Sequence, residues 1–246
     1  MISELVLYRW FGLALVVGSL VIAGASQKLP KDVRKYGYLP AIAAAGMGVS
    51  YVLMSLEFLM IEVEPGVETS GARFIGYTIL WLAFAYVLQR SSGVSYRSIG
   101  ILVAALLWAN WSTLGGWMAG GILRLAIMVS MVCMIGVTIY LLTSPFRRSA
   151  DRKHPERRLL YVKIMYLTIL TWVAMLLSGI LAEYNLGVTD TFVGASIAIY
   201  ADTVLILGFT VILFGGREAL ARIGAVSDGS ETGSQPTAGA RETVRS

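Results

Sequence analysis

Seven long apolar stretches, separated by short polar segments, make up most of the chain. Each approaches the roughly 20 residues that an α-helix needs to cross the hydrocarbon core of a bilayer, so an all-α bundle of seven transmembrane helices is predicted. The stretches run over 5–25, 38–61, 74–88, 99–117, 122–142, 160–181 and 192–214. The third is short unless Gly71, Ala72 and Arg73 belong to it, and paired glycines in 115–121 favour a break between the fourth and fifth.

Composition makes lipid the solvent of this chain. Hydrophobic residues make up 57% of the sequence and charged residues 14%, with a mean hydropathy of +0.71, whereas a soluble domain has roughly 25% charged residues. A multi-pass protein of the cell membrane is therefore predicted. The net charge of +5 does not indicate nucleic-acid binding, because the basic residues lie in short loops between apolar spans rather than on one soluble face.

The distribution of basic residues between the connections predicts the orientation. Basic side chains concentrate in the first, third and fifth connections and after the seventh stretch, whereas the second connection carries Glu62, Glu64 and Glu68. Since cytoplasmic loops are rich in Lys and Arg, the N-terminus is predicted outside and the C-terminus in the cytoplasm. Residues 1–226 are predicted to form one membrane domain, and the Ser-, Gly- and Thr-rich residues 227–246 a disordered cytoplasmic tail.

The inventory of reactive side chains excludes several classes of chemistry. Cys133 is the only cysteine and His154 the only histidine, the latter within a charged loop. An intrachain disulfide, a cysteine-based metal site and a histidine relay are therefore excluded. No catalytic motif and no metal-ligand cluster is present in the sequence, so the chain is predicted not to be an enzyme.

Asp202 is the charged residue that most needs an explanation. It lies near the middle of the seventh stretch, about ten residues or 15 Å from either end, where a short carboxylate cannot reach water. Ionisable groups inside the membrane are costly and mark functional sites by default. Arg73, near the outer end of the third helix, is the best partner for a buried ion pair. An architectural pair and a site used in transport or signalling are both compatible with this pattern.

The seventh helix carries the motif Tyr200-Ala-Asp202-Thr-Val-Leu-Ile206-Leu-Gly208-Phe209. It resembles the last helix of the microbial rhodopsins, where an Asp is followed four residues later by the retinal-binding Lys and then by Gly-Phe. Arg73 and the aromatic Tyr77 match the third helix of that family, and Trp172 matches the sixth-helix Trp that packs on retinal. Tyr200 matches a Tyr of the phototaxis receptors that meets the transducer. The resemblance spans residues 5–216 and implies a bacteriorhodopsin-like fold.

Several positions depart from that family's pattern. Ile206 occupies the position of the retinal-binding Lys, and all five lysines lie in loops or at cytoplasmic helix ends. A Schiff base needs a primary amine, so covalent retinal is not expected. Gly76 and Val87 stand where pumping relatives have carboxylates, and Met175 stands on the sixth helix where the family has a Tyr of the retinal wall. Non-covalent retinal, held by Trp172, Tyr77 and Met175, remains compatible with the sequence.

Two functions from different classes follow from these observations. The first is a light-independent regulatory or partner-binding role, in which the chain contacts a rhodopsin, a transducer or a carotenoid-pathway enzyme. A homo-oligomer is also compatible with the sequence. The alternative is a photoreceptor or ion-transport protein of the rhodopsin family that binds retinal or another isoprenoid without a covalent bond. Likeness of fold alone does not decide between them.

Overall fold

The computed structural model describes residues 4–64, 67–181 and 187–227, and the predicted tail lies almost entirely outside this range. Within these residues seven helices are long and apolar enough to span a bilayer, which confirms the predicted number of spans. In chain order the elements are α1 (Glu4–Gln27), α2 (Lys31–Ser55), β1 (Met60–Glu64), β2 (Val67–Ser70), α3 (Gly71–Ser92), α4 (Tyr96–Met118), α5 (Gly121–Leu141), α6 (Arg147–Asp151), α7 (Pro155–Leu181), α8 (Thr191–Gly215) and α9 (Arg217–Ser227).

The second helix ends earlier than its hydropathy predicts. It stops at Ser55, and the predicted extension to residue 61 is wrong, because Met60–Glu64 pairs with Val67–Ser70 as an antiparallel hairpin. Two residues in the left-handed region, Glu57 (φ 54°) and Leu59 (φ 57°), turn the chain between the helix and the first strand. The apolar residues at 58–61 resemble a helix by hydropathy alone, and only strand pairing distinguishes them.

The third helix is longer than its apolar stretch of 74–88 and reaches the length that a full crossing needs. Ser70 caps its N-terminus, accepting a hydrogen bond from the Ala72 amide at 3.3 Å and donating one to the Phe58 carbonyl at 2.9 Å. Such a cap satisfies an amide that the helix itself leaves unpaired. Gly71, Ala72 and Arg73 are therefore helical, and Arg73 lies in the first turn of α3.

The fifth connection is largely helical rather than an open loop. Residues 121–151 are helical throughout: α5 continues through one π-helical turn, Leu142–Phe146, into α6. Pro145 in that turn has no amide hydrogen to donate, and the Tyr161 hydroxyl of α7 donates to the Leu142 carbonyl. Paired glycines separate α4 from α5 as expected, since α4 ends at Met118 and α5 begins at Gly121.

The helices form an antiparallel bundle with α3 near its centre. α3 packs against α2, α4 and α7, and α8 packs against α7 and α2, whereas α1 contacts mainly α2 and α5 mainly α4. The end of the bundle that carries β1 and β2 is called the hairpin end below. The opposite end, where α1 meets α2, α3 meets α4 and α9 packs beneath α2 and α7, is called the basic end.

Candidate functional site

Asp202 lies near the middle of α8 and is 1% exposed. It belongs to the face of α8 that points into the bundle, together with Leu205, Ile206 and Phe209, which are also fully buried. These positions recur at the spacing of one helical face. A carboxylate in such surroundings needs hydrogen-bond donors, since an unpaired buried charge is strongly destabilising.

Two tyrosine hydroxyls supply those donors. Tyr51 of α2 donates to Oδ2 of Asp202 at 2.5 Å. Tyr77 of α3 donates to the same carboxylate, with its hydroxyl 2.8 Å from Oδ1 and 3.0 Å from Oδ2. Both tyrosines are almost fully buried. The carboxylate therefore joins α2, α3 and α8 through charge-assisted hydrogen bonds, which are stronger than neutral ones.

Arg73 reaches Asp202 through Tyr77. Its Nη2 donates to the Tyr77 hydroxyl at 3.4 Å, and its guanidinium lies 5.6 Å from the centre of the Tyr77 ring. The two residues lie one turn apart on the same face of α3. The ion pair expected from the sequence is thus bridged by a tyrosine, and the described residues include no direct Arg73–Asp202 salt bridge. Arg73, Tyr77, Asp202 and Tyr51 are called the Asp202 cluster below.

Ile206 lies one helical turn beyond Asp202, on the buried face of α8, and is 1% exposed. Its helix contains no lysine. The five lysines of the sequence all lie within the described residues, and each is exposed on the surface; they are Lys28, Lys31, Lys35, Lys153 and Lys163. No primary amine of a side chain therefore lies inside this part of the bundle.

Trp172 of α7 is buried against a second tryptophan, Trp81 of α3. Their ring centroids lie 5.1 Å apart with an interplanar angle of 18°, so the two indoles stack directly on each other. Trp81 also meets the edge of Phe84, and Phe84 stacks on Phe209 with centroids 4.0 Å apart. Met175, one turn beyond Trp172, is only partly buried and packs against the apolar core.

Gly76 and Val87 of α3 are both buried within the bundle. A Cβ added at Gly76 would lie 2.5 Å from Oγ of Ser50 and 3.0 Å from Sδ of Met47. A side chain there would require the side chains of Ser50 and Met47 to shift. Val87 is fully buried near the basic end. The interior of α3 therefore offers no carboxylate at either position.

Tyr200 points away from the Asp202 cluster. It is 72% exposed on the outer surface of α8 and makes no hydrogen bond to another described residue. It lies two positions before Asp202, a rotation of about 200° around the helix axis. The exposed stripe on this side of α8 continues through Val204, Leu207 and Val211.

Sequence reasoning missed two residues of this interior. One is Tyr51, although a tyrosine on an otherwise small and apolar helix face indicates a partner for its hydroxyl. The other is Trp81, which lies one turn after Tyr77 on the same face. Among the described residues, no group of three His, Cys, Asp or Glu side chains could bind a metal ion.

The sequence of this chain was compared with those of known proteins and protein families. No model of a protein family matches the chain. Sensory rhodopsin-2 of Natronomonas pharaonis is 25% identical over 214 residues, covering 86% of this chain and 88% of that protein. Sensory rhodopsin-2 of Haloarcula vallismortis is 26% identical over 234 residues, covering 93% and 96% respectively.

Solved structures share the arrangement of the helices. The thermophilic rhodopsin of Rubrobacter xylanophilus superposes with a TM-score of 0.82 at 21% identity, covering 91% of this chain and 100% of that one. The light-driven proton pump rhodopsin of Coccomyxa subellipsoidea superposes with a TM-score of 0.74 at 17% identity, covering 89% and 97%. The chain is therefore a multi-pass membrane protein with the seven-helix fold of the microbial rhodopsins, and its sequence is similar to those of sensory rhodopsins.

Proposed function

We propose that this chain is a member of the microbial rhodopsin family that works without covalently bound retinal, by contact with a partner in the membrane. The observation that carries the proposal is the buried Ile206, one turn from Asp202, in a bundle whose five lysines are all exposed. A Schiff base forms only where a primary amine can reach the aldehyde carbon. The residues present therefore do not fit a covalently attached retinal.

The stacked tryptophans are a second argument against a chromophore of that kind. A flat polyene sandwiched between two aromatic rings needs about 7 Å between them, since each contact takes about 3.5 Å. Trp81 and Trp172 lie 5.1 Å apart by their centroids. Trp81 thus fills the space beside Trp172, and the aromatic wall expected from the resemblance packs against protein.

Proton pumping is disfavoured by the interior of α3. A pump needs groups that accept and return protons along a path across the membrane. Gly76 is packed against Ser50 and Met47, and Val87 is buried among apolar side chains. Asp202 is the only carboxylate among the buried described residues. A single buried carboxylate cannot pass protons across the whole membrane.

The experiment that tests the proposal is an absorption spectrum of the protein expressed with added retinal. We expect no visible band that survives denaturation as a bound adduct. A visible adduct of the unaltered protein would overturn the proposal. The matched variants are Ile206→Lys and the double substitution Ile206→Lys with Trp81→Ala. We expect an adduct only in the double variant, because the amine then sits one turn from Asp202 and the polyene has room.

The exposed face of α8 supports a partner-binding role. Tyr200 places a phenol on the outer surface, where a bilayer offers its hydroxyl no acceptor. A membrane helix of a transducer, of a rhodopsin or of a second copy of this chain could accept that hydrogen bond. A photo-crosslinking residue at position 200 is expected to capture such a partner, whereas the same residue at Tyr140 of α5, which is also exposed, is not. Equal capture at both positions would contradict this surface.

A photoreceptor or ion-transport function with non-covalent retinal or another isoprenoid is the second candidate. Its support is the likeness to proteins named sensory rhodopsins over 86% or more of the chain. Such a ligand would be extractable by organic solvent without hydroxylamine, and Trp172→Ala would weaken its binding. Ion flux into liposomes in light, absent in the dark, would favour this candidate over the first.

A further inference from the structure

The turn between α2 and β1 exposes large apolar side chains at the hairpin end. Leu56, Phe58, Leu59 and Met60 are exposed by 62, 53, 44 and 36% respectively. Apolar side chains that adjoin one another on a protein surface mark a contact with lipid or with another protein. Residues 56–60 are called the apolar turn below.

The backbone conformation of the apolar turn is an unusual one. Glu57 and Leu59 both lie in the left-handed region, with φ of 54° and 57°. This conformation is uncommon for residues other than glycine, and it persists only where the surrounding contacts hold it. The outward position of the apolar side chains is therefore fixed by the fold.

The polar groups of this backbone are paired within the protein. The first three amides of the turn donate to carbonyls in the last turn of α2, at 3.0–3.2 Å. The Phe58 carbonyl accepts from the Ser70 hydroxyl at 2.9 Å, and the Leu59 carbonyl accepts from the Gly71 amide at 2.9 Å. Unpaired backbone groups are costly in lipid. These hydrogen bonds therefore allow the turn to lie in an apolar medium.

The helices on either side place the apolar turn at the edge of the hydrocarbon core. No charged residue lies between Lys35 and Glu57. From Lys35 to Ser55, α2 rises about 30 Å, which is the thickness of that core. The same rise along α3 separates Arg90, near the basic end, from Ser70. The turn therefore begins where the hydrocarbon core ends on the hairpin side.

Glu57 favours lipid over a protein partner as the contact of this turn. Its carboxylate is the only charge among residues 56–60, and the residue is exposed. The centre of a protein interface is depleted of charged residues, whereas acyl chains and hydrated headgroups meet at the boundary of a bilayer. At the same end Trp111 and Trp117 pack on Phe74, and tryptophan is enriched at that boundary.

We propose that the apolar turn is inserted into the bilayer on the hairpin side, at the boundary between acyl chains and headgroups. The same turn also positions α3, because Ser70 bonds to the Phe58 carbonyl and caps that helix. The depth of the turn in the lipid thus sets the depth at which α3 begins. This anchoring depends neither on retinal nor on a partner at Tyr200.

The accessibility of a single spin label tests the proposal in the full chain, reconstituted in phosphatidylcholine vesicles. Cys133→Ser removes the native cysteine, and Phe58→Cys then provides the labelling site. Oxygen is the collision reagent that concentrates in hydrocarbon, and a nickel chelate is the one that stays in water. The matched sites are Glu62→Cys in β1 and Val129→Cys on α5, both exposed.

We expect the label at position 58 to collide with nickel several times less often than the label at 62, and with oxygen several times more often. The label at 129 gives the values for the interior of the bilayer. Equal nickel access at 58 and 62 would overturn the proposal. A label at 58 that is shielded from both reagents would also overturn it, since it would indicate a protein contact.

A second variant tests whether the apolar side chains hold the turn in lipid. Phe58→Asp adds a carboxylate, and a label introduced by Leu56→Cys reports the position of the turn. We expect nickel access at 56 to rise several-fold in Phe58→Asp, because a carboxylate is costly in hydrocarbon. It should not change in the matched variant Glu62→Gln. Unchanged access in Phe58→Asp, or an equal rise in both variants, would overturn the proposal.

Discussion

The two halves of this bundle are packed in different ways. In the half nearer the basic end, α3, α7 and α8 bury large apolar and aromatic side chains completely, and Phe84 stacks on Phe209. In the half nearer the hairpin end, residues 173–181 of α7 are exposed or half-buried, and residues 192–199 of α8 are mostly so. The Asp202 cluster lies where these halves meet. Close packing stabilises the half nearer the basic end, and hydrogen bonds to a carboxylate join the helices at the boundary.

The largest effect is expected from a cavity in the tightly packed half. Phe84→Ala removes a ring that touches both Trp81 and Phe209. We expect a loss of about 3–5 kcal/mol in the free energy of unfolding, measured by denaturant titration in detergent micelles. The control is Leu177→Ala on the exposed face of α7, which is expected to cost far less. Equal losses would mean that the two halves do not differ in packing.

A smaller effect is expected from the hydrogen bonds at the boundary. Tyr51→Phe removes a donor to Asp202 while keeping the ring that packs against Tyr8 and Phe11. We expect unfolding to become easier by about 1.5–3 kcal/mol, the usual contribution of a hydrogen bond to a charged group. Thermal unfolding followed by circular dichroism measures it. An unchanged midpoint would mean that Tyr77 alone satisfies the carboxylate.

The contact between α1 and α2 tests what stabilises the half of the bundle nearer the hairpin end. A Cβ at Gly12 would lie 2.8 Å from the Gly48 carbonyl and 2.8 Å from the Val52 amide, so the two backbones nearly touch. Small residues allow such close approach of membrane helices. We expect Gly12→Ala to cost about 1–3 kcal/mol by forcing the helices apart. Gly18→Ala, with open space around its Cβ, is expected to be neutral or slightly stabilising in the same assay.

The smallest effect on stability is expected at the outer surface. Tyr200→Phe removes a hydroxyl that bonds to no described residue, so the folding free energy of the isolated protein should change by less than about 0.5 kcal/mol. Co-purification of a membrane partner, compared with Tyr140→Phe, is the sensitive readout. A stability loss as large as that of Tyr51→Phe would show that Tyr200 serves the fold of the isolated chain.

Hydropathy predicted seven spans, but it did not locate every boundary. It extended α2 through residues that pair as β1, and it treated 147–158 as a loop although α6 and the start of α7 are helical. Both errors have one cause. Hydropathy measures the preference for lipid over water, whereas strand pairing and a π-helical turn depend on which backbone groups find partners.

The candidate site was predictable only as far as single helices reveal it. A carboxylate near the middle of an apolar helix is visible in any sequence, so Asp202 was identified, and the guanidinium of Arg73 was the nearest complement in charge. The role of Tyr77 as a bridge was not predictable, because the distance between α3 and α8 is not encoded in either helix alone. Nor was the stacking of Trp81 on Trp172, which depends on how α3 and α7 are rotated towards each other.

The sequence by itself determined the solvent, the number of crossings and the lack of an amine one turn beyond Asp202. Those properties follow from which side chains the chain contains and how they are spaced. Only the tertiary structure decided that Ile206 faces the core, that Ser50 and Met47 close the space beside Gly76, and that Tyr51 and Tyr77 share one carboxylate. These contacts join helices far apart in the chain, and their geometry depends on the rotation and depth of each helix, which packing fixes.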